Sequence, residues 1–289
     1  MARTEPEAAV LALLALMARL REPQRGCPWD LAQDFRSIAP YTIEEAYEVR
    51  DAIERADAGK LCEELGDLLF QVVFHARMAE ERGWFDFAAV AAGIHAKLVR
   101  RHPHVFNAAE RSADAHSLPA EVLAGATPAA TLDVSGQGAQ WEQIKAHERA
   151  VGGGADASAL ADIAQGMPAL MRAAKLGRRA ARVGFDWPQG EAVRRKVDEE
   201  LGELDAALAA ADGATDAHVV EEFGDVLFTL VNWSRHLALD AEESLRRASE
   251  KFERRFRRME QLAGERGLAL TALDAEQWEA LWAEAKGRP

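Results

Sequence analysis

The sequence predicts an all-α protein made of two tandem helical bundles. Alanine and leucine are abundant, 29% of the chain is charged and there are only two tyrosines, a composition typical of helical packing. Apolar residues recur at helical spacing, and one acidic pattern occurs twice in the same order. A chain of 289 residues is long enough for about two domains, each with its own core.

The internal repeat is the observation on which this prediction mainly depends. The first copy has two acidic segments and then a basic one, at residues 44–48, 63–70 and 97–101. The second copy has the same order, at residues 199–203, 221–228 and 251–255. The offset is 155 residues from 44 to 199, 158 from 64 to 222 and 154 from 97 to 251. A register held this closely predicts one fold for both copies.

A linker is predicted between the copies. Residues 107–138 are rich in Ala, Ser, Gly and Thr, and three consecutive glycines follow at 152–154. These are linker compositions. We therefore predict an N-terminal domain over residues 1–152 and a C-terminal domain over residues 153–289.

Two helices carry the acidic segments of the first copy. Thr42 and Glu45 have the spacing of a capping box, which predicts a helix that starts after Pro40 and runs to residue 57. A second helix is predicted over residues 60–82, closed by a glycine. Its apolar residues have the spacing of a buried stripe, at Leu65, Leu68, Leu69, Val72, Val73 and Ala76.

Polar residues follow one line beside that stripe. At about 100° per residue, the line contains Glu64, Asp67 and Gln71.

In the second copy, Asp186 is expected to cap a helix with Pro188 in its first turn. A turn at residues 212–213 would fold the next helix back antiparallel to this one. Two groups of carboxylates would then face each other: Glu199, Glu200 and Glu203 on the first helix, and Glu222 and Asp225 on the second.

Bulk properties exclude several classes of partner. The formal net charge of -13 disfavours binding to a nucleic-acid backbone. Cys27 and Cys62 are too few for a disulfide framework and lack the spacing of a zinc site. No apolar run reaches the length of a membrane span, and the apolar start lacks the basic region of a signal peptide. The prediction is a cytoplasmic protein without membrane or nucleic-acid partners.

The acidic segments predict metal and phosphate chemistry. Four or five carboxylates in one cleft repel one another, and a hard divalent cation such as Mg²⁺ compensates that charge with oxygen ligands. A third helix carries cations whose geometry suits phosphate, Lys251, Arg254 and Arg255. Water held on Mg²⁺ and oriented by a spare carboxylate could attack phosphorus in line, which would hydrolyse a phosphoanhydride.

Simpler explanations exist for each segment. A single Glu-Glu-x-x-Glu is usually a solvated helix face, and a single Lys-x-x-Arg-Arg is usually surface charge. Their repetition in register favours a site. Trp282 is either a core or interface anchor or a surface for stacking a base. A di-iron centre would need Glu-x-x-His, and no Glu stands three residues before any of the eight histidines.

The succession Glu-Glu-x-x-Glu, Glu-x-x-Asp and Lys-x-x-Arg-Arg resembles the signature of the MazG family of all-α nucleotide pyrophosphohydrolases. The likeness extends to residues 26–30, 38–42, 100–106 and 183–187 and covers nearly the whole chain, including its two-copy arrangement. It implies that each chain contains two MazG-like helical-bundle domains and that the protein forms a homodimer. It also implies Mg²⁺-dependent hydrolysis of (d)NTP to (d)NMP and pyrophosphate, broad in base, with Mn²⁺ as a possible substitute.

The resemblance also implies site residues. In the second copy the metal-binding and catalytic residues would be Glu200, Glu203, Glu222 and Asp225. The nucleotide-binding residues would be Lys196, Glu199, His218, Glu221, Lys251, Arg254, Arg255 and Trp282. In the first copy the metal ligands would be Glu45, Glu48, Glu64 and Asp67, with Lys97 and Arg101 binding phosphate.

The sequence departs from the family pattern at His218, where the family often has a lysine, so a phosphate contact there becomes weaker or pH-dependent. The denser basic run favours the second copy as the active one. Two alternatives stay open. One is a narrower enzyme for dUTP, dCTP or phosphoribosyl-ATP, and the other is a non-catalytic nucleotide-sensing module. Intact carboxylates in both copies argue against the second.

Overall fold

The computed structural model describes residues 5–106, 144, 158–187, 190–211 and 216–287. Within these residues the secondary structure is helical and contains no strand, which confirms the all-α prediction. The chain divides into two compact units, unit 1 (residues 1–153) and unit 2 (residues 154–289). The predicted linker and the predicted boundary at residues 152 and 153 lie outside the described residues.

The described part of unit 1 contains five helices: α1 (Pro6–Leu20), α2 (Pro28–Ala32), α3 (Phe35–Glu54), α4 (Ala58–Glu81) and α5 (Phe87–Arg101). Helices α3 and α4 form the main antiparallel pair, and α1 and α5 pack on α4. The core of the unit lies where α1, α3 and α4 meet, at Met17, Ile38, Val73, Phe74 and Met78. This core holds α3 and α4 in a fixed register.

Helix α3 begins earlier than the sequence predicted. The Asp34 carboxylate accepts hydrogen bonds from the N–H groups of Arg36 and Ser37 at 2.8 and 2.9 Å, and the Ser37 hydroxyl accepts one from Asp34 N at 2.9 Å. This capping box starts the helix at residue 35 and leaves Pro40 inside it. The predicted start at Thr42 is therefore wrong, because one hydrogen bond lost at Pro40 does not prevent a capped, packed helix from continuing.

Helix α4 confirms the predicted second helix to within two residues at each end. Asp57 caps its start by accepting from Lys60 N at 2.9 Å, and Gly83 follows its end with φ +67°. The predicted apolar stripe is only partly right. Val73 and Ala76 are buried. Leu65, however, is 49% exposed, and Leu69 and Val72 on the same side of the helix are exposed as well.

The face of α4 that is buried against the rest of unit 1 is instead the neighbouring one, with Glu64, Gln71, Phe74 and Met78. Helix α3 packs on this line, as a hydrogen bond from Gln71 to Glu45 and one between Thr42 and His75 show. The helical periodicity of the apolar residues identifies two adjacent faces of α4, but it does not determine which of them α3 covers.

The described part of unit 2 contains five α-helices and one 3₁₀ turn at Leu270–Ala272. The helices are α6 (Ala169–Arg182), α7 (Gly190–Ala210), α8 (Ala217–His236), α9 (Ala241–Glu265) and α10 (Ala275–Lys286). Helices α7 and α8 pair as α3 and α4 do, α6 packs on α8 and α9, and α9 packs on α10. A second core joins α9 and α10, at Met259, Leu262, Ala263, Leu281 and Ala285.

Asp186 lies before α7, and its predicted capping of that helix involves residues 188 and 189, which lie outside the described residues. Its carboxylate pairs with Arg235 and accepts a hydrogen bond from His236 Nε2 at 3.0 Å, both at the end of α8. These charge-assisted contacts tie the segment before α7 to the end of α8. The predicted Pro188 position and the predicted turn at residues 212–213 lie outside the described residues. None of the described helices is long and apolar enough to cross a membrane.

Candidate metal centres

The first acidic cluster lies between α3 and α4 in unit 1. Glu45 and Glu48 are one turn apart on α3, and Glu64 faces them from α4. One carboxylate oxygen of each residue lies within 4.8 Å of the other two. Glu64 is 1% exposed, whereas Glu48 is exposed and Glu45 is half-buried. The cluster therefore extends from the helix interface to the surface.

Electrostatics in this cluster indicate crowded negative charge. Burial, followed by the charges of Asp67 and Glu64, raises the pKa of Glu45. A hydrogen bond to Glu64 and the charge of that residue raise the pKa of Glu48. Asp67 is exposed on α4 and lies outside the closest triad.

Lys60 is the cation that compensates part of this charge. Its Nζ lies 2.5 Å from Glu64 Oε1, one turn along α4. This ion pair holds the pKa of Glu64 below its ordinary value and raises that of Lys60. Because the lysine stands four residues before its carboxylate, the sequence already carried this signal, but the sequence analysis did not assign Lys60 a role.

Gln71 continues the acidic line of α4 into the protein interior. Its side chain is 5% exposed, and its Nε2 donates to Glu45 Oε1 at 3.4 Å. One turn farther, His75 Nε2 lies 3.1 Å from Thr42 Oγ1, and burial lowers the pKa of His75. Neutral polar groups thus line the inner end of the unit 1 cluster.

The second cluster lies at the matching place between α7 and α8. Glu200 on α7 and Glu222 and Asp225 on α8 each place a carboxylate oxygen within 4.8 Å of the others. Glu200 is buried, Glu222 is half-buried and Asp225 is exposed. Glu203, one turn beyond Glu200, is exposed and outside the triad. Desolvation, together with the charges of Glu200 and Glu222, raises the pKa of Glu203.

Lys196 is the cation of the second cluster, and it stands on the first helix of its pair, whereas Lys60 stands on the second. Lys196 Nζ on α7 lies 2.9 Å from Glu199 Oε1 and 3.1 Å from Glu200 Oε1, and these bonds raise the pKa of Lys196. His218 Nδ1 on α8 lies 3.4 Å from Glu222 Oε1. The two triads therefore differ in composition, with two carboxylates from α3 and one from α4 in unit 1 but one from α7 and two from α8 in unit 2. Their lysines also stand on different helices of the pair.

The predicted phosphate residues lie on other helices of each unit. In unit 2, Lys251 and Arg254 are exposed on α9, and Glu221 is exposed on α8. In unit 1, Lys97 is exposed and Arg101 half-buried on α5. The simpler explanation, surface charge pairing, applies to two neighbours on α9, Arg257 with Glu253 and Arg258 with Glu265.

Trp282 on α10 lies among cations and a phenyl ring. The Arg255 guanidinium carbon is 5.9 Å and Lys286 Nζ 5.5 Å from the centroid of its ring, and the Phe252 centroid is 5.5 Å away. The indole is half-buried at the edge of the α9–α10 core. It is therefore a packing residue that also offers an aromatic surface beside positive charge.

The donor chemistry of both triads fits Mg²⁺. Every donor in the two triads is a carboxylate oxygen, the type of ligand that hard divalent cations prefer, and neither triad contains His or Cys. Each triad opens toward solvent on one side, through Glu48 in unit 1 and Asp225 in unit 2. Phosphate oxygens or water could complete the coordination from there.

Comparison with known proteins connects this geometry to a family. The family model for the MazG nucleotide pyrophosphohydrolase domain matches twice, at residues 33–106 and 189–259. The chain is 50% identical to the nucleoside triphosphate pyrophosphohydrolase of Escherichia coli (strain K12) over 276 residues, 95% of each chain. It is 40% identical to the nucleoside triphosphate pyrophosphohydrolase/pyrophosphatase MazG of Thermotoga maritima over 275 residues, 95% of this chain and 94% of the relative. The predicted family is confirmed, and the chain belongs to the MazG nucleotide pyrophosphohydrolase family.

Proposed function

We propose that this enzyme hydrolyses nucleoside triphosphates and deoxynucleoside triphosphates to monophosphates and pyrophosphate with Mg²⁺, and that Mn²⁺ can replace Mg²⁺. The observation that carries the proposal is a carboxylate triad between the helices of each of two helix pairs, with the oxygens of each triad within 4.8 Å of one another. Two relatives that match almost the whole chain are named for pyrophosphohydrolysis of nucleoside triphosphates, which supports the reaction type.

Unit 2 offers the fuller set of groups for this reaction. The residues that would hold the cation are Glu200, Glu222 and Asp225. Mg²⁺, when bound, supplies neutralisation of phosphate charge and polarisation of water. Glu203, one turn beyond Glu200 and outside the triad, would accept the proton of the attacking water. The triphosphate would be bound by cations of α7 and α9, Lys196, Lys251, Arg254 and Arg255.

The substrate range and assembly belong to the same proposal. Stacking of the base on Trp282 would tolerate different bases, since every base has a flat π-face. A homodimer would cover the apolar side chains that the α7–α8 pair leaves exposed, Leu201, Leu208, Val220, Phe223 and Leu227. We also propose a reducing, cytoplasmic location, which agrees with two free cysteines, Cys27 and Cys62.

Product analysis tests the reaction. Protein and Mg²⁺ incubated with a panel of NTPs and dNTPs should release pyrophosphate and the monophosphate, and ¹⁸O-labelled water shows which phosphorus is attacked. Release of only orthophosphate and diphosphate contradicts the proposal. Including dUTP, dCTP and phosphoribosyl-ATP at equal concentration separates a broad enzyme from a narrow one, because turnover of one of these alone supports the narrow alternative.

Inactivating each unit in turn tests which one is active. Glu222→Gln removes a charge from the unit 2 triad at constant size, and Glu64→Gln is the matched change in unit 1. We expect Glu222→Gln to lower kcat/KM by on the order of 100-fold, since a metal ligand is lost, and Glu64→Gln to change it little. The opposite pattern would assign catalysis to unit 1, and full activity in the double variant would show that neither triad is needed for hydrolysis.

A further inference from the structure

The Gln71 amide is hydrogen-bonded at one end only. Its Nε2 donates to Glu45 Oε1 at 3.4 Å, so the amide lies against the acidic cluster of unit 1. Its Oε1 is buried and, among the described residues, accepts no hydrogen bond. A buried carbonyl oxygen without a donor is unfavourable and rare in folded proteins, which indicates that a donor outside the protein completes this arrangement.

The position of Gln71 indicates what that donor is. The residue lies on α4, seven residues and about two turns from Glu64, on the line that α3 covers. The side chain is 5% exposed, so bulk water does not reach it freely. A divalent cation held by Glu45, Glu48 and Glu64 keeps several waters of its own, and each of those waters is a strong hydrogen-bond donor.

We propose that Gln71 is a positioning residue for the divalent cation of unit 1. Its N–H group fixes the orientation of Glu45, and its Oε1 accepts a hydrogen bond from a water in the hydration shell of the cation. Both ends of the amide are then satisfied, and the inner side of the cation is bound through water instead of a fourth carboxylate. This inference rests on the proposal that the unit 1 triad holds a divalent cation.

Unit 2 lacks this arrangement at the same register. The offset of 158 residues that relates Glu64 to Glu222 places Thr229 at the position of Gln71, and Thr229 is buried. The neighbouring Thr42–His75 pair of unit 1 is likewise replaced, by Val197 and Trp233. A threonine side chain is too short to bind a carboxylate and a water in the way that a glutamine amide does. The role is therefore specific to unit 1.

A manganese titration tests the proposal in the full-length chain. Glu222→Gln and Asp225→Asn remove the unit 2 site, and free Mn²⁺ measured by electron paramagnetic resonance then reports binding at unit 1. Gln71→Met keeps the size of the side chain and removes both polar ends. We expect it to weaken Mn²⁺ binding by about 10–100-fold, the usual effect of losing a group that orients a metal ligand. Thr229→Val, the matched control at the same register, should leave the affinity unchanged.

A second variant keeps the test decisive if Gln71→Met fails to fold, which far-UV circular dichroism would show. Gln71→Glu retains an acceptor oxygen and adds charge, so it should bind Mn²⁺ at least as tightly as the parent. Weaker binding by Gln71→Glu, unchanged binding by Gln71→Met, or a parent that binds no Mn²⁺ at unit 1 would overturn the proposal. None of these outcomes affects pyrophosphate release by the unaltered protein, which tests the proposed function separately.

Discussion

Glu64 is the most deeply buried of the predicted metal ligands, and Lys60 is its closest cation. A buried carboxylate that loses its cation pays a desolvation penalty that nothing offsets. The pair therefore stabilises the metal-free protein over the pH range in which Glu64 is charged. Because the folded-state pKa of Glu64 is lowered, this contribution is complete above its ordinary pKa and is lost as pH falls through the folded value.

Lys60→Met should consequently destabilise the metal-free protein at pH 7 and have little effect at an acidic pH below the lowered folded-state pKa of Glu64. Urea unfolding at both pH values measures the difference in midpoint. Lys60 also lies 3.5 Å from the exposed Glu63, so Glu63→Gln serves as the control and should change neither midpoint. An equal effect of Lys60→Met at both pH values would show that its contribution is packing of the lysine stem.

At the scale of elements, the segment before α7 is held by Asp186. Its carboxylate is three-quarters buried and bonds Arg235 and His236 at the end of α8. Arg235 also donates to Asn232 Oδ1 at 3.0 Å, which orients the guanidinium. The Arg235 bond, in spite of burial, holds the pKa of Asp186 below its ordinary value.

We expect Asp186→Asn to lower the free energy of unfolding by about 1–2 kcal/mol at pH 7, the range for a charge-assisted hydrogen bond. Since the folded-state pKa is lowered, the difference from wild type should be complete above about pH 4 and disappear as the solution becomes more acidic. Denaturant unfolding across this pH range provides the measurement. The exposed Arg194–Asp198 pair on α7 supplies a control, because Asp198→Asn should have no measurable effect.

Helix α10, which carries Trp282, begins with a capping box. The Asp274 carboxylate accepts from Gln277 N at 2.8 Å, and Gln277 Oε1 accepts from Asp274 N at 3.1 Å. Asp274→Ala should cost about 1 kcal/mol of stability. It should also raise the KM for nucleotides if Trp282 contacts the base. Asp274→Ser, which retains a capping oxygen, should preserve both values, and an unchanged KM with lowered stability would separate the helix start from substrate binding.

The elements also show what the sequence could and could not predict. The repeat predicted the fold class and the helices that carry the carboxylates, because helical period and caps are local properties. It did not predict the start of α3, since a packed helix with an earlier cap tolerates Pro40. It placed Leu65 in the core, whereas α3 covers the face of Glu64. Which of two adjacent faces is covered depends on tertiary packing, which period alone does not contain.

The candidate site was likewise predictable in part. The repeated acidic segments predicted that carboxylates from neighbouring helices would converge within each copy. The structure brings together Glu45, Glu48 and Glu64 in unit 1 and Glu200, Glu222 and Asp225 in unit 2, while the other two implied ligands, Asp67 and Glu203, lie outside these triads. The sequence placed Gln71 on the same line as Glu64 but did not indicate its role, because a buried amide becomes informative only when its hydrogen-bond partners are known.

For the whole molecule, cation binding should be linked to stability. The carboxylates of each triad repel one another when no metal is bound. A cation that binds only the folded state therefore stabilises the folded protein by RT ln(1 + [L]/Kd), about 2.7 kcal/mol at a concentration 100 times Kd. We expect Mg²⁺ to raise the unfolding temperature and EDTA to reverse this rise and abolish pyrophosphate release. Glu45→Gln combined with Glu200→Gln, which alters both triads, should reduce the Mg²⁺-dependent rise. An unfolding temperature that does not respond to Mg²⁺ in the unaltered protein would contradict metal binding at both triads.

The lysine of each cluster stands on a different helix, Lys60 on the second helix of its pair and Lys196 on the first. Acetylation of these amines would remove one positive charge from each unit. In unit 1 it would unmask two carboxylates on α4, and in unit 2 two carboxylates on α7. Reagents that modify lysine would thus make both clusters more negative. The added negative charge would lie on the second helix of the pair in unit 1 and on the first helix of the pair in unit 2.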